Sequence, residues 1–116
     1  MSEERWYISG PVTSYATTAY GRAIIESAHI LAFIDAEMRM RSAGHHVAIN
    51  PAHYIADHDA SHADYMRCSY RSLVTHCNAL VLLPGWHDSR GAQAERHAAL
   101  MCGMRVAELH ELVGKS

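Results

Sequence analysis

The stretch Ala79-Leu80-Val81-Leu82-Leu83-Pro84-Gly85 constrains this chain more than any other. A strand with one wet face alternates apolar and polar side chains. An apolar run without alternation asks for burial on both faces, as in the middle of a parallel sheet. Pro84-Gly85 closes the run, because proline lacks the ladder donor and glycine frees the turn.

The rest of the chain supplies the partners such a strand needs. Trp6-Tyr7-Ile8-Ser9-Gly10-Pro11 reads as a first short strand stopped by Gly-Pro, and Val12 to Tyr20 as a loop. Ala23, Ile24, Ser27, Ile30, Leu31, Ile34 and Met38 recur at steps of three and four, which predicts a helix from about Tyr20 to Ser42. Ala43-Gly44 stops it, and His46 to Ile49 with Asn50-Pro51 makes a second strand. His53 to Ser61 reads as a polar loop, with Ser61 placed to cap a helix that ends near His76. After the apolar run come a polar turn, Trp86 to Gly91, a helix from about Gly91 to Cys102, and a strand, Arg105 to Leu109. The tail from His110 is a short helix or frayed. The order β-α-β-α-β-α-β predicts an α/β fold: a small flavodoxin-like or Rossmann-like parallel sheet of four or five strands with helices on both faces.

Bulk properties narrow the function classes. A length of 116 residues suits one domain over 1–116, and 49% apolar residues suffice for a core. No apolar run is long enough to span a bilayer. The opening MSEERWYISG lacks the order of a signal peptide, so a cytoplasmic chain is expected. A formal charge of −2 argues against a dedicated nucleic-acid surface. Cys68, Cys77 and Cys102 form no metal or redox spacing, and buried free thiols are expected. Ten histidines are many for this length, and His53, His58 and His62 are the obvious metal candidates. Their spacing fits no zinc signature, so solvated or hydrogen-bonded histidines, and no metal, are expected.

In an open parallel sheet, ligands bind beyond the carboxyl ends of the strands. The segments Ser9–Tyr20, Asn50–Asp59 and Gly85–Glu95 emerge there, bringing Asn50, Trp86, Asp88, Ser89, Arg90 and Glu95 close to Tyr7. Glu95 is expected in the first helical turn, where the helix dipole favours a carboxylate by about 0.3–1 kcal/mol. The same helix start can hold a phosphate. An acid there is also ordinary helix chemistry. Trp86 either stacks on a base or packs against the domain edge. GxGxxG, GxxxxGK[ST] and GxSxG are all absent.

Three segments together resemble the nucleoside 2-deoxyribosyltransferase-like superfamily, within which the chain looks like a phage and bacterial branch of unknown function. They are Tyr7 to Thr13, Ala43-Gly44-His45-His46-Val47 into Asn50-Pro51-Ala52, and Leu82 to Ala92 followed by Glu95. The resemblance covers nearly the whole chain, and its third segment is the most specific. It implies cleavage or exchange of the N-glycosidic bond of a deoxynucleoside or nucleoside 5′-monophosphate. Glu95, four residues after Gly91, then corresponds to the glutamate nucleophile, with Tyr7 beside it and Gly10 as the loop glycine. Ser89, six residues before Glu95, matches a phosphate-holding serine, which favours a nucleotide over a free nucleoside. Arg90 can assist it by charge. Ser9, Gly10, Pro11, Asn50, Trp86, Ser89, Arg90 and Gly91 are the expected substrate contacts. No cofactor or metal is implied, and a homo-oligomer, dimer or larger, is expected.

One position departs from the pattern. Ser69 stands where active members carry an aspartate that serves the leaving base. Asp64 lies more than a turn earlier, and Asp88 is the candidate substitute. Three readings follow: an N-glycosidase or transferase using Glu95, Tyr7 and Asp88, a nucleotide-binding module without chemistry, and an assembly domain that associates through its first helix.

Overall fold

The computed structural model describes residues 3–11, 27–52 and 62–114. Four strands, β1 (Arg5–Ser9), β2 (His46–Ile49), β3 (Ala79–Leu82) and β4 (Arg105–Glu108), alternate with helices. These are α1 (Ser27–Ser42), α2 (His62–His76), α3 (Arg90–Met101) and the short α4 (Leu109–Val113). One 3-10 turn, Trp86–Asp88, precedes α3. The sheet is parallel throughout, in the order β2-β1-β3-β4. The α/β fold expected from the β3 run is therefore present. The predicted loop 12–20, the first turns of the first helix, the 53–61 segment with its Ser61 cap, and the candidate ligands His53 and His58 lie outside the described residues.

The strand period of two sorts the side chains into two buried layers. Trp6, Ile8, Val47, Ala79 and Val81 face one layer, with Phe33, Ala36 and Met40 of α1 and Leu109 of α4. Tyr7, Leu80 and Leu82 face the other, with Leu73 of α2, Ala99 of α3 and Cys77. All four residues of β3 are buried, as an unalternating run demands. Each of Leu80, Val81 and Leu82 contributes about 1.5–3 kcal/mol by leaving water.

Two expectations need correction. The stripe Leu31, Ile34 and Met38 marks α1 as a helix but is not its buried face. Phe33, Ala36 and Met40 are buried, while Leu31, Ile34 and Met38 are 64%, 40% and 65% exposed. Apolar residues surround this helix, so periodicity alone allows either stripe inside. Cys68 is exposed on α2, as is Cys102 after α3. Only Cys77 is buried, and burial pushes its thiol up to about 12.

The functional consequence lies between β1 and β3. β1 connects onward to β2 on one side, while β3 lies on its other side, so this is the switch point where a parallel sheet opens a crevice. Register pairs Tyr7 with Leu80 and Ser9 with Leu82. Leu83 N donates to Ser9 O at 2.8 Å, carrying the ladder one step further. A Cβ at Gly10 would lie 2.8 Å from Leu83 Cβ, so only glycine permits the two chains to approach this closely. On the β2 side the register slips between Trp6 and Tyr7, which pair with Val47 and Ile49 and leave Ala48 as a bulge. Among the described residues, no helix is long and apolar enough to cross a membrane.

Candidate functional site

The site is built from β1 and α3. Tyr7 and Ser9 are two apart on β1 and therefore project from the same face, toward α2 and α3. α3 turns its buried stripe Ala92, Glu95 and Ala99 to that face. The small alanines above and below Glu95 let α3 approach the strand closely. Ser89 caps the helix, its Oγ accepting from Ala92 N at 3.2 Å. The turn that leads there needs Gly85, whose φ is +90° and whose missing Cβ would sit 3.3 Å from Pro11 Cγ.

Glu95 is the centre of the arrangement. Its side chain is 3% exposed, and Tyr7 and Ser9 are equally enclosed. Tyr7 Oη donates to Oε2 at 2.6 Å, and Ser9 Oγ donates to Oε1 at 2.7 Å. Burial raises the carboxyl from its ordinary 4.5 to about 7, against the pull of the Tyr7 and Ser9 hydrogen bonds, which favour the anion. Near neutral pH both protonation states are therefore well populated, a condition suited to a group that reacts and is regenerated. Each oxygen accepts one hydrogen bond and keeps a second lone pair.

The helix begins at Arg90, which places Glu95 in the second turn, not the first. The first turn of α3 holds no acid. Because the dipole effect fades within that turn, desolvation governs Glu95 and moves its pKa in the opposite direction.

The other expected residues divide. Tyr7, Ser9 and Glu95 come together, but Ser9 serves the carboxyl in this structure. Gly10 packs against Leu83 at the end of β1, and Pro11 lies beside Gly85. Gly91 lies one turn before Glu95 on α3, where a Cβ would stand 3.4 Å from Met66 Sδ of α2. Ser89 is the helix cap, and Arg90 is exposed beside it. Asp88 lies exposed in the 3-10 turn, while the Glu95 hydrogen bonds come from Tyr7 and Ser9. Asn50 is committed elsewhere. Its amide donates to Phe33 O and Glu37 Oε1 at 3.0 and 2.8 Å, and its Oδ1 accepts from Ala52 N at 3.0 Å. It ties β2 to α1. Trp86 packs at the domain edge, with His87 stacked on its ring at 3.8 Å and Arg96 at 5.3 Å. Its Nε1 donates to Glu108 Oε1. Ser69 is fully buried in α2.

Two features escaped the sequence. Tyr70, next to Ser69, lies near enough to Glu95 for the carboxylate to feel it. Burial first, then the Glu95 charge, raise its phenol above the ordinary range. Glu108 and Glu111 form a reciprocal capping box that opens α4. With His110 they are the His and carboxylate groups that converge among the described residues. The capping role explains their convergence.

The raised Glu95 pKa makes stability pH-dependent. The folded state holds this proton up to about pH 7, whereas the unfolded chain releases it near 4.5. Wild-type stability is therefore lost as pH rises through that window. Glu95→Gln, which does not titrate, should gain up to about 3 kcal/mol on wild type between pH 4 and pH 8. Urea unfolding at both pH values measures this, and a difference that stays constant with pH contradicts it.

The comparisons with known proteins bear on family. No curated protein matches the chain. Residues 4–108 match a family model described as "Domain of unknown function (DUF4406)", a span that includes Tyr7, Ser9, Tyr70 and Glu95. By that match over most of its length, the chain belongs to the DUF4406 family.

Proposed function

We propose that this protein breaks or exchanges the N-glycosidic bond of a deoxynucleoside or nucleoside 5′-monophosphate, with Glu95 as nucleophile. The observation that carries the reading is the 2.6 Å hydrogen bond from Tyr7 to a buried Glu95 at the switch point of the sheet. It is the pairing that the resemblance to nucleoside 2-deoxyribosyltransferases implies. A Glu95 oxygen attacks C1′ of the sugar, and the bond from C1′ to the base nitrogen breaks with its electron pair leaving on the base. The covalent sugar ester is then resolved by water or a second base. A carboxylate suits this chemistry because the transition state carries positive charge at C1′. Tyr7 keeps the nucleophile oriented and partly ionised in a buried place. Ser89 retains its hydroxyl proton while its oxygen caps α3, so it can donate to a phosphate beside exposed Arg90. The setting we infer is cytoplasmic.

The buried Ser69, where the resemblance leads one to expect an acid, favours a second reading: a module that binds the nucleotide without turning it over. Incubation with a panel of nucleosides and 5′-monophosphates, followed by chromatography for free base, separates the two. The enzyme reading predicts release by wild type and a loss of 10²-fold or more, on the order set by removal of an essential group, in Glu95→Ala. No release, or equal release by the variant, contradicts it. Thermal stabilisation without release supports the binding module.

We also infer a homo-oligomer. Leu31, Ile34 and Met38 expose an apolar stripe on α1 that a second copy can cover. Light scattering should read a dimer or larger at micromolar concentration, and a monomer contradicts this.

A further inference from the structure

We propose that Tyr70 is a catalytic residue of this site: its hydroxyl protonates the departing base and later takes a proton from the incoming water. The proposal rests on the glycosidic reading of Glu95.

The placement follows from the packing of α2 against α3. α2 leads into β3 and α3 leads out of it, and all strands are parallel, so the two helices run in the same direction. Gly91 and Met66 set their register, with Met66 Sδ 3.4 Å from where a Gly91 Cβ would be. One turn further along each helix brings Tyr70 level with Glu95. The next turn brings Leu73 and Ala99 into one apolar cluster. Tyr70 is half-buried where Glu95 is fully enclosed, so it stands at the edge of the site with access to solvent. Among the described residues, the groups that act on Glu95 are Tyr7 and Ser9 from β1, with Tyr70 alongside from α2. β3 presents apolar Leu80 and Leu82 to this layer. Ser69 is no proton source near neutral pH. Its neighbour Tyr70 is the acid that α2 offers here.

The charges balance across the two steps. In the first, the Glu95 anion bonds to C1′, the base leaves with the electron pair of the broken bond, and the Tyr70 proton goes to that base. Glu95 becomes a neutral ester as Tyr70 becomes a phenolate. Burial first makes the phenol hard to ionise and the Glu95 anion adds to it; that second cause is consumed in the step that needs the proton. In the second step the phenolate takes a proton from water as the water oxygen bonds to C1′. The ester bond breaks, Glu95 is again an anion, and Tyr70 is again a phenol. One group serving as acid and then base is the general logic of retaining glycoside cleavage.

The test compares Tyr70→Phe with wild type on 2′-deoxyguanosine 5′-monophosphate and on its N7-methylated form. The methylated base leaves neutral and needs no proton. The readout is the first turnover of base release, which isolates the first step. Tyr70→Phe should lose about 10²-fold or more on the ordinary nucleotide and stay within several-fold of wild type on the methylated one. A sugar adduct on Glu95 should then accumulate, visible by mass spectrometry, because the second step has lost its base. Equal loss on both substrates, or no loss on either, overturns the role of Tyr70 while wild-type turnover leaves the reaction standing. Absence of release by wild type from these two and from every other member of the nucleoside and 5′-monophosphate panel removes the reaction and this role together.

Discussion

Glu95 stays buried only because Tyr7 and Ser9 reach both of its oxygens, and both reach it because β1 is held in register on β3. An ionised carboxyl without partners in such a place would be displaced toward water or kept protonated well above neutral pH. The hydrogen bonds at 2.6 and 2.7 Å offset part of that cost. The pairing of Tyr7 with Leu80 and Ser9 with Leu82, sealed by the Gly10–Leu83 approach, sets the height of the two hydroxyls. The alanines flanking Glu95 set the distance of α3. A carboxyl poised near pH 7 results from this sheet geometry, with the helix dipole playing little part.

The fold was legible in the sequence wherever a residue's environment is set by its own segment. The unbroken run at β3 implied burial on both faces, and glycine and proline marked the strand ends correctly. The site was partly legible. Tyr7 and Glu95 were singled out together, and they meet. Helix starts are less readable, because Ser89, Arg90 and Gly91 each make a plausible first position. The helix starts one residue earlier than expected, which leaves Glu95 beyond the first turn, where desolvation and not the dipole governs it. Asn50 and Trp86 stand near strand ends, where substrate contacts are expected. Their partners, Phe33, Glu37 and Glu108, come from distant segments that no local pattern predicts. Tyr70 was invisible for the same reason, since its neighbour across the α2–α3 seam is twenty-five residues away. On α1, apolar residues around the whole helix left the buried stripe undecided.

Function enters through what a buried carboxyl at a switch point can do. In the role proposed for it, Glu95 must be partly ionised, oriented and enclosed. Tyr7 and Ser9 supply orientation, and the position between β1 and α3 supplies enclosure. The unusual feature is α2, which offers the hydroxyls of Ser69 and Tyr70 where a carboxyl was expected. Under the proposed reading, Tyr70 is the group on α2 that serves the leaving base.

The most direct measurement is the titration of the wild-type Glu95 carboxyl carbon by NMR, with glutamate labelled at Cδ and the signal assigned by its loss in Glu95→Gln. A midpoint at about 7 is predicted from the burial and the two hydroxyl partners. A midpoint at the ordinary carboxylate value of 4.5 would contradict it. Glu95 would then be a solvated acid on a helix, with no site built around it.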